Sequence, residues 1–125
     1  MLKSTLFILC IVSSAVAFGQ QAELSFDKKV HKFDTVREGE QLEHTFTFTN
    51  TGDAPLILSN YKVECTCTKA EFEKRPFAPG ESGTVKVTFD TTGKIGWQYR
   101  AVQLFSNAKK NPSEVEIRVK VKGGE

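Results

Sequence analysis

Apolar residues recurring at every second position restrict this chain more than any other feature. From Gln41 to Asn50, Leu42, His44, Phe46 and Phe48 fall on one side and Glu43, Thr45, Thr47 and Thr49 on the other. That is the alternation of a strand with one buried face and one wet face. The period returns in Gly83 to Asp90, where Val85, Val87 and Phe89 alternate with Lys86 and Thr88. It returns again in Ser113 to Lys122, where Val115, Ile117, Val119 and Val121 alternate with Glu114, Glu116, Arg118 and Lys120. Trp97 to Ser106 is a further strand with Val102 and Leu104 inward, and shorter ones are expected around Leu24 to Phe26, Val30 to Phe33 and Leu56 to Leu58. Tyr61 to Thr68 reads as one strand with Tyr61, Val63, Cys65 and Cys67 on a shared face. Turn residues separate these runs at Asn50 to Asp53, Pro76 to Gly80, Thr91 to Gly96 and Asn107 to Pro112. No stretch carries the helical period. About seven or eight strands in a chain of this length predict a two-sheet antiparallel sandwich, with a small closed barrel as the alternative.

The N-terminus does not fit that pattern. Lys3 gives a basic start, Leu6 to Val12 is a short apolar run, and Ala17-Phe18-Gly19 offers small residues where a signal peptidase reads. A signal peptide over residues 1–19 is expected, cleaved before Gln20, and the run is too short for a membrane anchor. Cys10 follows bulky Leu9, unlike a lipidation cysteine. The protein is then secreted or periplasmic, with a mature domain over residues 20–125 and no stable membrane insertion after cleavage. Ten Phe provide apolar area for one core, and a net charge of +2 from 17 Lys+Arg and 15 Asp+Glu is too small to hold the chain open. The charges alternate in sign instead of gathering on one face, which argues against nucleic acid as a partner. Lys28, Lys29 and Lys32 form the nearest thing to a cluster, and read as edge charges that discourage stray strand pairing.

Several stretches together are distinctive: Thr45 to Leu56, Cys65-Thr66-Cys67-Thr68, Ala78-Pro79-Gly80-Glu81-Ser82-Gly83-Thr84, Phe89-Asp90-Thr91-Thr92-Gly93 and Ser106-Asn107-Ala108. They resemble an uncharacterised family of exported bacterial immunoglobulin-like domains, similar in fold to major sperm protein, the pilus chaperones and hydin-type domains. The resemblance covers nearly all of Phe33 to Val121 and implies an all-β, seven- to eight-stranded antiparallel immunoglobulin-like β-sandwich. It carries no activity with it. Family members usually have Cys-Gly-Cys where this chain has Thr66 between the thiols.

Cys65 and Cys67, the cysteines of the mature domain, read first as a pair of small buried hydrophobes or a structural disulfide on the face of Val63, and second as a redox dithiol or a site for a soft metal such as copper or zinc. In an ideal strand their Cα atoms lie about 6.6 Å apart. A disulfide prefers about 5.5 to 6 Å, so bonding requires a bend. Zinc held by Cys65, Cys67, His31 and His44 satisfies a tetrahedral count, but the spacing matches no finger. His44 reads as a core-edge histidine with a local hydrogen-bond partner, and His31 as a surface or edge residue. The chain has no nucleophile elbow, catalytic triad or Gly-rich cofactor loop, and Glu71 and Glu73 read as solvated, so no catalytic residue and no cofactor are expected. Pro79-Gly80 with Ser82-Gly83 reads as turn chemistry leading into a strand, Gly93 and Gly96 as positive-φ positions, and Trp97 as a cap sealing the sandwich edge, with the lining of a binding surface as the alternative. The functional expectation is a non-enzymatic binding or structural module of the bacterial envelope. It would recognise another exported or envelope protein, or a glycan, through end loops or a sheet edge. Val30 to Phe33 and Ser113 to Val121 are the candidate edges, and thiol chemistry at Cys65 and Cys67 is the alternative function.

Overall fold

The structure, a computed structural model, describes residues 20–123. The expected signal peptide and Cys10 lie outside the described residues. The strands are β1 (Leu24–Phe26), β2 (Val30–Lys32), β3 (Val36–Arg37), β4 (Gln41–Asn50), β5 (Leu58–Lys62), β6 (Thr68–Phe72), β7 (Ser82–Asp90), β8 (Gly96–Ser106) and β9 (Ser113–Lys122). They build two sheets, ordered β1-β4-β7-β6 and β2-β9-β8-β5, with β3 also pairing β9. The two-sheet sandwich expected from the alternation forms, immunoglobulin-like as the resemblance implies, with nine strands among the described residues. All pairings are antiparallel except those of β2 and β3, which run parallel to β9.

Two expectations about strands need correction. Tyr61 to Thr68 is not one strand: β5 ends at Lys62 in one sheet and β6 begins at Thr68 in the other. The alternating apolar pattern continues through the crossing because both sheets face the same core. The C-terminal strand is not an edge either, because β9 lies between β2 and β8.

The inward residues of both sheets meet in one core. Phe46, Phe48, Phe77 and Phe89 are each at most 2% exposed, with Leu104, Ile117 and five β7 and β9 valines packed among them. Phe77 lies outside the strands and is held by paired backbone bonds with Leu56, 2.9 and 2.8 Å long. Its ring meets Phe48 edge-on at 5.1 Å. Gly83, read as the point where turn chemistry leads into the strand, lies within β7, which begins at Ser82. A Cβ there would lie 2.6 Å from both Phe48 Cζ and Phe77 Cε1, so its hydrogen makes room for the two rings.

The end of β4 is tied down by a single buried amide. Asn50 is fully buried, and its Nδ2 donates to the carbonyls of Ala54 (2.8 Å) and Phe77 (3.0 Å). Its Oδ1 accepts from the backbone N–H groups of Glu23 (3.2 Å) and Gly52 (3.0 Å). Both donors and both lone pairs of the side chain are used. Asn107, exposed just after β8, ties down the segment leading into β5, accepting from Ile57 N–H at 2.8 Å and donating to Pro55 O at 2.9 Å. The buried Thr91 hydroxyl donates to Glu40 O at 2.6 Å.

His31 on β2 and His44 on β4 come from different sheets and stack, centroids 3.6 Å apart and planes 7° from parallel. Phe33 and Phe46 close the stack edge-on at 4.5 and 4.7 Å. The contacts of His44 are thus aromatic, in place of the hydrogen-bond partner expected. Burial chiefly, then the neighbouring His31 and Lys28, hold its pKa below the ordinary 6.5.

Two outcomes follow from these contacts. Asn50→Ala strands two carbonyls and two N–H groups, and should lose about 3 kcal/mol or more. In thermal unfolding that is a Tm drop of roughly 12 °C or more, and a drop below about 4 °C would contradict the clamp. Because folding lowers the His44 pKa, the unfolded chain binds more protons near pH 6.5, so this contribution is present above 6.5 and is lost as pH falls below it. Tm measured from about pH 7 to about pH 5 should fall more steeply in the wild type than in His44→Phe, and equal slopes would exclude the effect.

Candidate functional site

The site begins where the chain leaves one sheet for the other. The register runs from Leu58 opposite Ser106 to Lys62 opposite Gln103, after which β5 stops. The chain then turns through Glu64 to Cys67, with Thr68 N–H donating to Cys65 O at 3.1 Å, and enters β6. The turn brings the two cysteines into a disulfide with Cα atoms 5.1 Å apart, closer than the ideal-strand estimate because they do not lie on a strand. Cys67 N–H donates to Cys65 Sγ (3.2 Å), and Cys67 O accepts from Asp90 N–H (2.9 Å), fastening the turn to β7. Thr66 is exposed at the tip, and its φ is not positive. The turn therefore has no conformational need for glycine between the cysteines. Both cysteines are half-buried.

Early termination of β5 leaves one side of β8 uncovered. Gly96–Val102 pair with β9 on one side and with no strand on the other among the described residues. The Phe105 carbonyl accepts from the Ser59 hydroxyl on the β5 side, so by strand alternation the peptide groups of Ala101 and Tyr99 face the same way, into the gap. Beside this edge lies a groove of about 570 Å³. Cys65 lines it from the turn, Thr68 from the start of β6, Tyr99, Arg100 and Ala101 from β8, and Lys62 from the end of β5. Arg100 lies over the Phe89 ring, 5.1 Å from its centroid.

The outer face next to the groove is aromatic. Trp97 is 48% and Tyr99 54% exposed, their rings 6.3 Å apart and 21° from parallel, with Lys32 over Trp97 and Arg118 over Tyr99. Trp97 therefore does not cap the core. It occupies an outward position, one residue out of phase with Val102 and Leu104.

The other candidates disperse. His31 and His44 lie on β2 and β4, whereas the cysteine turn follows β5 at the opposite edge of the second sheet, so the four do not form one zinc site. The in-plane nitrogens of two stacked imidazoles also do not converge on one ion. Among the described residues no cluster of three or more His, Cys, Asp and Glu is arranged to hold a metal. Glu71 and Glu73 are solvated, their side chains 74% and 70% exposed, and pair with Lys86 and Arg75. Gly93 and Gly96 have the positive φ angles expected, 78° and 85°. Sequence reasoning missed Arg100 and Ala101, because a free edge depends on where the neighbouring strand ends. The period-two pattern does not mark that end.

Solved structures share this architecture. A protein of unknown function from Porphyromonas gingivalis W83 superposes with a TM-score of 0.71 at 13% identity, over 87% of this chain and 51% of its own. The ASH/PapD-like domain 7 of human CEP192 gives 0.63 at 14%, covering 100% and 99%. The secreted serine protease VesC from Vibrio cholerae gives 0.61 at 23%, over 79% of this chain and 23% of its own. The chain thus spans about half the length of the first and under a quarter of VesC. At these identities the likeness concerns the fold. No curated protein sequence is significantly similar to the chain. A family model matches residues 24–121, which include every strand except the last residue of β9, and the chain belongs to the family described as "Protein of unknown function (DUF1573)".

Proposed function

We propose that this is an exported, non-enzymatic binding module of the bacterial envelope that takes a protein partner at the open edge of β8. The fold itself is that of a binding or structural module. The observation that carries the finer reading is the side of Gly96–Val102 that no strand covers, next to a groove and an exposed aromatic pair. An unpaired edge offers a row of N–H and C=O groups to any extended segment, which is the basis of recognition by strand addition. Export is supported by the basic, apolar and small-residue order of residues 1–19 and by a disulfide, which persists in oxidising compartments.

One observation favours a second reading. Cys65 faces the groove beside Lys62 and Arg100, and cations lower a thiol pKa and raise its reactivity. On that reading the pair exchanges dithiol for disulfide.

Two measurements test these readings. Ala101→Pro removes the edge N–H without filling the groove. Coupled to a resin and exposed to envelope extract, it should retain none of the proteins that the wild type retains, and identical retention would reject the edge. Mass after alkylation in a glutathione redox series should show the Cys65–Cys67 pair resisting reduction if the domain only binds. Ready reduction, together with reductase activity towards a model disulfide that disappears in Cys65→Ser, would transfer the function to the thiols.

A further inference from the structure

The groove beside β8 contains a charge that the domain does not pair. Arg100 Nη1 donates to the Tyr99 carbonyl at 3.0 Å and Nη2 to Gln98 Oε1, both uncharged acceptors. Its Nε is buried without an acceptor. Among the described residues the salt bridges engage Arg75, Lys86 and Arg118, and none engages Arg100. A buried charged donor left unsatisfied is destabilising and calls for an explanation. The planar guanidinium fork is matched best by a carboxylate.

We propose that the open edge of β8 takes an extended partner peptide that lays a carboxylate against Arg100 and places apolar side chains at the two flanking positions. This rests on the strand-addition reading above and names the chemistry of the strand. An incoming peptide N–H would bond the Tyr99 carbonyl, and Arg100 Nη1, released from that carbonyl, would turn to the carboxylate. Every bond given up is replaced. Side-chain alternation fixes the rest, because a residue opposite Arg100 points into the groove while its two neighbours point outward. One outward neighbour meets Tyr99 and through it Trp97, and the other meets Ala101, whose methyl group leaves room for a large side chain. Charge is consistent with an acidic segment. Of the carboxylates lining the groove, Glu116 is held by Arg118, Glu114 lies opposite Gln103 where β5 still covers the edge, and Glu64 is exposed on the turn. Lys62 and Lys94 add two further cations.

The test is selection of random linear peptides displayed on phage against the purified protein, followed by anisotropy titrations of the enriched sequences made as labelled synthetic peptides. Enriched peptides should carry Asp or Glu between two apolar residues, and changing that acid to its amide should weaken binding about tenfold or more. That comparison needs no variant of the protein. Arg100→Gln should weaken the acidic peptide by a similar factor and no longer distinguish acid from amide, while Ala101→Pro should weaken both alike. Thermal unfolding checks that each variant is folded. Enrichment without an acidic preference, or unchanged affinity in Arg100→Gln, overturns the inference. Tight peptides indifferent to both substitutions would leave a binding module with its site elsewhere. No enrichment, or oligosaccharides binding in place of peptides, would remove the strand-addition reading as well.

Discussion

The buried amide of Asn50 is the interaction on which the rest of the sandwich depends. It sits at the end of β4 and reaches the segment before β1, the turn after β4 and the carbonyl of Phe77. Its own backbone N–H donates to Glu81 O, and its carbonyl accepts from Gly80 N–H. Holding Phe77 there places that ring against Phe48 and over the bare Cα of Gly83, closing one end of the core. A polar group with no exposure is tolerated because each of its hydrogen-bonding atoms is satisfied, and the same completeness makes its loss expensive.

The stretches that carry the family resemblance largely have this kind of role. Asn50 to Leu56 contains the clamp. Ala78 and Glu81 bond reciprocally, the Ala78 N–H to Glu81 Oε1 and the Glu81 N–H to Ala78 O, both at 2.9 Å. Asp90 accepts from the N–H and hydroxyl of Thr92, Thr91 holds Glu40, and Asn107 holds both Pro55 and Ile57. These residues fix the angles at which the chain leaves each strand. That is a physical reason why they mark a fold with confidence while saying little about an activity. The Cys-x-Cys turn belongs with them by position, fastening the crossing between sheets, and differs in facing a groove.

Long strands were legible because burial on one face imposes a period that nothing else in a chain produces. Gln41 to Asn50 and Ser113 to Lys122 were read with the bounds the structure has. The crossing at Val63 to Cys67 was not, because Tyr61, Val63 and Cys67 touch the same core from a strand and a turn in succession. Trp97 was misplaced for a different reason, since reading an aromatic at a strand start as a cap ignores the strand phase, which Val102 and Leu104 set and which puts Trp97 outward. His31 and His44 could not be paired from sequence, because their contact spans two sheets. The open edge was invisible for a simpler reason: it is made by the residues that β5 lacks.

The same early end of β5 creates the free peptide groups, the groove and the isolation of Arg100. Amide hydrogen exchange read residue by residue by NMR on the isolated protein tests this most directly. Gln103 and Phe105 should be protected by β5, Arg100 and Val102 by β9, and Tyr99 and Ala101 should exchange fast. Protection at Tyr99 and Ala101 equal to that at Gln103 would mean the edge is closed, and would contradict the account.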